Sequence, residues 1–107
     1  MVAKVAWYST ETVAGKTIVK HLGVATGSTI RARNIGRDIV AGLRTLIGGE
    51  LPEYTEMMAN SRDQAVERML IKAEEMGADA VVGVRFSTAM IMQGTAEVMA
   101  FGTAVKF

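Results

Sequence analysis

The chain has 107 residues, half of them hydrophobic, with eight methionines, no cysteine and a formal net charge of +1. That length allows one domain, residues 1–107, whose poor surface-to-volume ratio favours self-association. The lack of cysteine excludes disulfides, thiolate metal sites and cysteine nucleophiles. No run approaches the ~18 apolar residues that span a bilayer, and the first residues are too short an apolar stretch for a secretory leader, so a cytoplasmic protein with no membrane partner is expected.

Charge is divided along the chain. Residues 1–49 carry Lys4, Lys16, Lys20, Arg31, Arg33, Arg37 and Arg44 against Glu11 and Asp38. Residues 50–79 carry Arg62, Arg68 and Lys72 against Glu50, Glu53, Glu56, Asp63, Glu67, Glu74, Glu75 and Asp79. Such a split suits an anion-binding half, or opposite faces of neighbouring subunits that attract; the second is the preferred reading.

Residues 2–9, VAKVAWYS, read as a strand, and TETVAGK as the turn after it. Residues 17–33, TIVKHLGVATGSTIRAR, are rich in β-branched side chains and interrupted by Gly23 and Gly27, which predicts extended structure bent or bulged at the glycines. Ile18, Val19 and Leu22 also fit one turn of helix. Asn34 suits the cap of a short helix, where its side-chain oxygen accepts an otherwise orphaned N–H. Ile39, Val40, Leu43, Leu46 and Ile47 then form one apolar stripe, and Gly48-Gly49 stops it.

Pro52 suits the first position of a second helix, with Glu53 and Glu56 complementing its N-terminal dipole. That helix is expected to run to about Met76, with Met58, Ala65, Val66, Met69, Leu70 and Ala73 on one side and Arg62, Asp63, Glu67 and Glu74 on a solvated side. Gly77 ends it. The last segments, DAVVGVRFSTAMIM and TAEVMAFGTAVKF, flank Gln93-Gly94, which fits a two-residue hairpin turn. Pairing Met92 with Thr95 places Phe86 opposite Phe101 and Val82 opposite Val105. One face then holds Val82, Val84, Phe86, Met90, Met99, Phe101 and Val105, and the other Val81, Gly83, Ala89, Ile91, Val98, Ala100, Gly102 and Ala104. An antiparallel hairpin on a monomer normally alternates apolar with polar. Here neither face is polar, so a neighbouring subunit is the expected second cover.

Motifs of known chemistry are sparse. Gly15-Lys16-Thr17 looks like the tail of a phosphate-binding loop, but the earlier glycine that loop requires is replaced by Thr10, and the residues that follow read mainly as strand. A turn is expected. No serine lies in a nucleophile elbow. The acids at the two helix ends are accounted for by the dipole and by solvation, and no enzymatic activity is expected. His21, the single histidine, lacks an obvious orienting acid nearby; it reads as structural or surface, with metal binding across subunits as the alternative. The best candidate is RARNIGRD. Arg31, Arg33 and Arg37 gather around the helix start at Asn34, with Asp38 beside them, and free N–H groups there favour an anion. Pairing of these arginines with the acidic helix is the structural reading of the same cluster. Nucleic acid is not expected, because aromatics are few and not interleaved with the basic residues.

The stretch NIGRDIVAGLRTLIGGELPEY, together with GKTIVKHLGVATG, the helix ending in EEMGADAVVGVRF and the closing FGTAV, resembles the YbjQ-like family of small bacterial and archaeal proteins across nearly the whole chain. Asn34, Arg37-Asp38, Gly48-Gly49, Tyr54 and GADAVVG in that order carry the likeness. The resemblance implies a two-layer, dodecin-like α+β subunit, with an antiparallel sheet and two helices, assembled as a homopentameric ring. It implies no established reaction. The family carries a heavy-metal-binding label, whereas soft metals prefer thiolates or several imidazoles and this chain has no cysteine and one histidine. No cofactor is expected. The expected function is an oligomeric module binding a small anion at Arg31, Arg33, Asn34, Arg37 and Asp38, or a purely structural module. The alternative is metal binding through His21 and carboxylates at subunit interfaces.

Overall fold

The structure is a computed structural model that describes residues 4–32, 52–92 and 95–107. Four strands and one helix make up these segments: β1 (Ala6–Trp7), β2 (Lys20–Ala32), α1 (Pro52–Glu75), β3 (Ala80–Met92) and β4 (Thr95–Lys106). The strands form one sheet in the order β1-β3-β4-β2. The fold is α+β, as expected from the residue pattern. The sheet is mixed rather than purely antiparallel, because β1 pairs parallel to β3 through Ala6↔Ala80 and Trp7↔Val81. A parallel pair needs a long crossover, and the chain between β1 and β3 supplies one. The helix expected after Asn34 and the turn at Gln93-Gly94 lie outside the described residues.

The expected first strand is cut to two residues, but the chain keeps company with β3 beyond it. The Tyr8 N–H donates to the Val81 carbonyl (2.9 Å), and the N–H groups of Val84 and Gly83 donate to the carbonyls of Tyr8 (3.0 Å) and Thr10 (2.8 Å). Gly15-Lys16-Thr17 belongs to a turn closed by the Lys16 N–H on the Val13 carbonyl (3.1 Å), with Gly15 at φ 76°. It launches no helix, so the phosphate-loop geometry is absent there.

β2 is extended throughout, including at Leu22, and the helical alternative for this segment is set aside. Its two interior glycines do different work. Gly23, at φ 128°, sits where the register against β4 shifts by one residue. Gly27 keeps regular pairing with Ala100, so it is not a bulge as expected; it is where the helix touches the sheet. A Cβ there would lie 2.2 Å from the Met69 nitrogen and 2.3 Å from the Ala65 oxygen. On the same face Ala25, Thr29, Val98, Ala100 and Ala104 are buried, and α1 answers with Ala65, Val66, Met69 and Ala73. Small residues on both sides bring backbone close to backbone, which excludes water over β2 and β4 and maximises dispersion contact. The hydroxyl of Thr29, buried in this layer, donates to the Ser61 carbonyl (3.0 Å) and so carries no unpaired polar atom into the core.

The helix ends as its sequence requires. Gly77, at φ 84°, takes the left-handed position; its N–H donates to the Glu74 carbonyl (3.0 Å), and the Ala78 N–H donates to Ala73 (3.1 Å). This pair of bonds is a Schellman cap, with Ala73 and Ala78 in apolar contact with the core. Lys106 donates to the Gly77 carbonyl (3.1 Å), and the Asp79 carboxylate accepts from the Phe107 N–H (2.9 Å). These contacts tie the last residues of β4 to the helix end.

The hairpin departs from its expected register in an instructive way. Met92 pairs with Thr95 as expected, but the register shifts between Met90 and Met92 and again between Val82 and Arg85. Phe86 therefore pairs with Ala100, not Phe101, and Val82 pairs with Thr103, not Val105. The second shift comes from Gly83, whose φ of 63° lets the strand insert one extra residue and turn Val84 to the other face. Val81 and Val84 then share the helix side and both crowd Gly102. Val82 instead joins Ala80, Val105, Val13, Ile18 and Phe107 in a second small cluster. The expected single face of Val82, Val84 and Phe86 is thus divided between the two sides of the sheet.

Candidate functional site

Of the residues singled out for anion binding, Arg31 lies on β2 opposite Ala96. Arg33, Asn34, Arg37 and Asp38 lie outside the described residues. His21 is exposed on β2, opposite Val105 and immediately before the shift at Gly23. The neighbouring pair in that register is Lys20↔Lys106, so ammonium groups, not carboxylates, occupy the adjacent positions. That local charge opposes a divalent cation. Among the described residues no three His, Asp or Glu side chains converge as a metal site.

The structure instead brings together residues that no motif had marked. A cleft of about 430 Å³ opens between β1, β3 and α1, lined by Trp7, Phe86, Val66, Arg62 and Asp63. Trp7 and Phe86 meet edge-to-face, with centroids 6.4 Å apart and planes at 87°, and each is 43% exposed. Two aromatic walls at right angles are thus half in water, above the buried Val66. Arg62 and Asp63 supply opposite charges on the helix side. Arg85 braces the outer wall, donating from Nη1 to the Ser9 carbonyl (2.8 Å) and to the Val84 carbonyl (2.9 Å). Periodicity could not have found this cleft. Trp7 and Phe86 are some eighty residues apart, and they meet because β1 enters the sheet beside β3.

Beyond the cleft, β3 and β4 continue as an arm. Along β3 the large apolar side chains stay in water: Met90 is 69% exposed, Ile91 50% and Met92 63%. Among the described residues, α1 packs over β2 and β4 and does not cover this stretch. At the other edge of the sheet, Arg68 reaches from α1 to the Ser28 carbonyl of β2 (2.6 Å).

A family model described as "Putative heavy-metal-binding" matches residues 5–107. The chain belongs to the YbjQ family. Its YbjQ relatives include a UPF0145 protein of Methanosarcina acetivorans, 57% identical over 98 residues that make up 92% of each chain. Another, from Thermus thermophilus, is 54% identical over 96 residues, 90% of this chain and 84% of its own. Among solved structures, a protein of unknown function from Pediococcus pentosaceus, placed in the DUF74 family, superposes with a TM-score of 0.69 at 18% identity, covering 96% of this chain and 97% of its own. At that identity the likeness concerns the fold. It agrees with the α+β architecture of this YbjQ chain.

Proposed function

We propose that this protein is the subunit of a symmetric homo-oligomeric ring, a homopentamer working in the cytoplasm, that binds a small anionic ligand and catalyses no reaction. The observation that carries the proposal is the bare arm. Phe86, Met90, Ile91 and Met92 form a run of large apolar side chains at 43–69% exposure on a small domain. Exposed apolar side chains concentrated in this way on both faces of a strand mark an interaction site, and a second copy of the chain is the partner always present. The contact surfaces at the two ends of such an arm differ, and contacts between unlike surfaces generate rings when the rotation closes. The anion reading rests on the cluster Arg31, Arg33, Asn34, Arg37 and Asp38, which β2 introduces at its far end through Arg31. The family's description favours the second reading, a metal held by His21 and carboxylates across subunits.

Native mass spectrometry of untagged protein, purified without chelator, tests both. The expected result is a single species near five times the 11.5 kDa chain. Added mass lost in Arg33→Ala/Arg37→Ala, with the ring intact, identifies the anion site. Added metal lost in His21→Ala supports the second reading, and unchanged metal stoichiometry in that variant ends it. A monomer refutes the ring.

A further inference from the structure

We infer that the cleft between Trp7 and Phe86 receives the hairpin arm of a second copy of this chain, with Met90 and Met92, which the register shift between them places on opposite faces of the arm, each seated against one of the two aromatic walls. The inference rests on the ring reading and specifies its contact. Reach comes first. Six residue steps of strand lead from Phe86 to Met92, about 20 Å at the usual rise per residue. The arm is a paired antiparallel hairpin continuous with the sheet, so its tip cannot fold back into its own cleft. Only another molecule can bring a tip to a cleft.

Chemistry comes second. Tip and cleft are each incomplete in the same respect: Met90, Ile91 and Met92 are half or more exposed, and Trp7 and Phe86 only a little less than half. Thioethers pack favourably against aromatic rings, sulfur lying near the ring edge. The combined surface holds tryptophan, phenylalanine, methionine and arginine, the types enriched in the centre of protein interfaces, while Arg62 and Asp63 supply a polar border. The backbone adds to this. Among the described residues, β1 and the segment after it bond to β3 only as far as Val84, and no other described segment pairs with the edge of β3 along the arm, the kind of edge a neighbouring strand can join. At the opposite edge Arg68 already occupies the Ser28 carbonyl. Finally, tip and cleft are unlike surfaces on one chain, so docking one into the next copy is the head-to-tail contact a closed ring needs.

The absence of native cysteine makes the test direct. The full chain carrying Asp63→Cys and Met92→Cys, both at exposed positions, is treated with a short bis-maleimide and run under denaturing conditions. The expected result is a ladder of linked chains ending at the stoichiometry seen by native mass spectrometry, with no product from either single variant. An intact ring that yields no ladder overturns the arm-to-cleft contact and leaves the ring reading standing. Product from Met92→Cys alone shows tip-to-tip packing and also overturns it. Product that stops at a pair keeps the contact and refutes the ring, whereas a monomer by native mass refutes both. Acrylamide quenching supplies an independent reading, because Trp7 is the single tryptophan. Trp7 should be shielded in the ring and become readily quenched in Met90→Glu/Met92→Glu; free quenching in the intact wild-type ring would show the cleft empty or occupied by something smaller than an arm.

Discussion

Replacing Gly27 with alanine is the sharpest test of how this domain is packed. The backbone at Gly27 is not in the left-handed region, so by local conformation alone alanine should stabilise the protein by about 0.4–1 kcal/mol through a stiffer unfolded chain. The helix reverses that sign. A Cβ would lie 2.2 Å from the Met69 nitrogen, 2.3 Å from the Ala65 oxygen and 2.8 Å from the Arg68 carbonyl carbon, all backbone atoms that no rotamer change can move. Restoring an ordinary 3.4 Å contact requires the helix to lift by about 1.2 Å. A gap of 0.5–1 Å already forfeits roughly a quarter to a half of each dispersion contact. The loss would spread along Ala25, Ala65, Met69, Ala73 and Ala100, the layer where helix and sheet touch. Overpacking typically costs about 1–3 kcal/mol, and the upper end, about 3 kcal/mol, applies because backbone must move. For a domain of this size that corresponds to a fall in Tm of roughly 12–24 °C. Urea unfolding followed by circular dichroism, at one fixed protein concentration because association contributes to apparent stability, measures it. Thr26→Ala, the exposed neighbour on the opposite face, should stay within about 0.5 kcal/mol of wild type. A Gly27→Ala protein as stable as wild type, or more so, would refute the close approach of helix and strand.

Other expectations follow from single contacts. Gly77→Ala meets no atom within 4 Å yet must adopt φ 84°, so it should cost about 1–2 kcal/mol by backbone strain alone; Gly77→Asn should recover part of that, and equal losses would point to a cause other than the cap conformation. Thr29→Val keeps the shape but removes the donor to the Ser61 carbonyl, for an expected loss of about 1 kcal/mol in the same unfolding assay. Lys106→Ala removes one exposed donor from the helix cap and should change stability by less than about 0.5 kcal/mol. A larger effect would mean that the Gly77 carbonyl depends on this lysine.

Much of the architecture is legible in the residues because it is locally encoded. Pro52 and Gly77 bound the helix, its apolar stripe at Ala65, Val66, Met69 and Ala73 is the buried side, and the turn-proximal pair Met92↔Thr95 follows from hairpin chemistry. That neither face of the last two strands is predominantly polar also signals surface in need of a cover. Pairing register away from the turn was not legible. Alternation assumes one residue per step on each strand, and Gly83 breaks it by taking a left-handed conformation that a hydrophobic pattern does not register. Gly27 shows the same limit in reverse: read locally it suggests a bulge, while its actual cause is a helix some forty residues later in the chain. The cleft was least legible of all, since Trp7 and Phe86 acquire a common site only through the parallel pairing of β1 with β3. What the sequence by itself determined is therefore what short-range periodicity, caps and turns can express: the fold class, the helix and its buried face, and the presence of uncovered apolar strand. What only the tertiary structure decided is which of that strand the helix covers, which faces the glycine bulges exchange, and where two distant aromatic rings meet, because each depends on contacts between segments far apart in the chain.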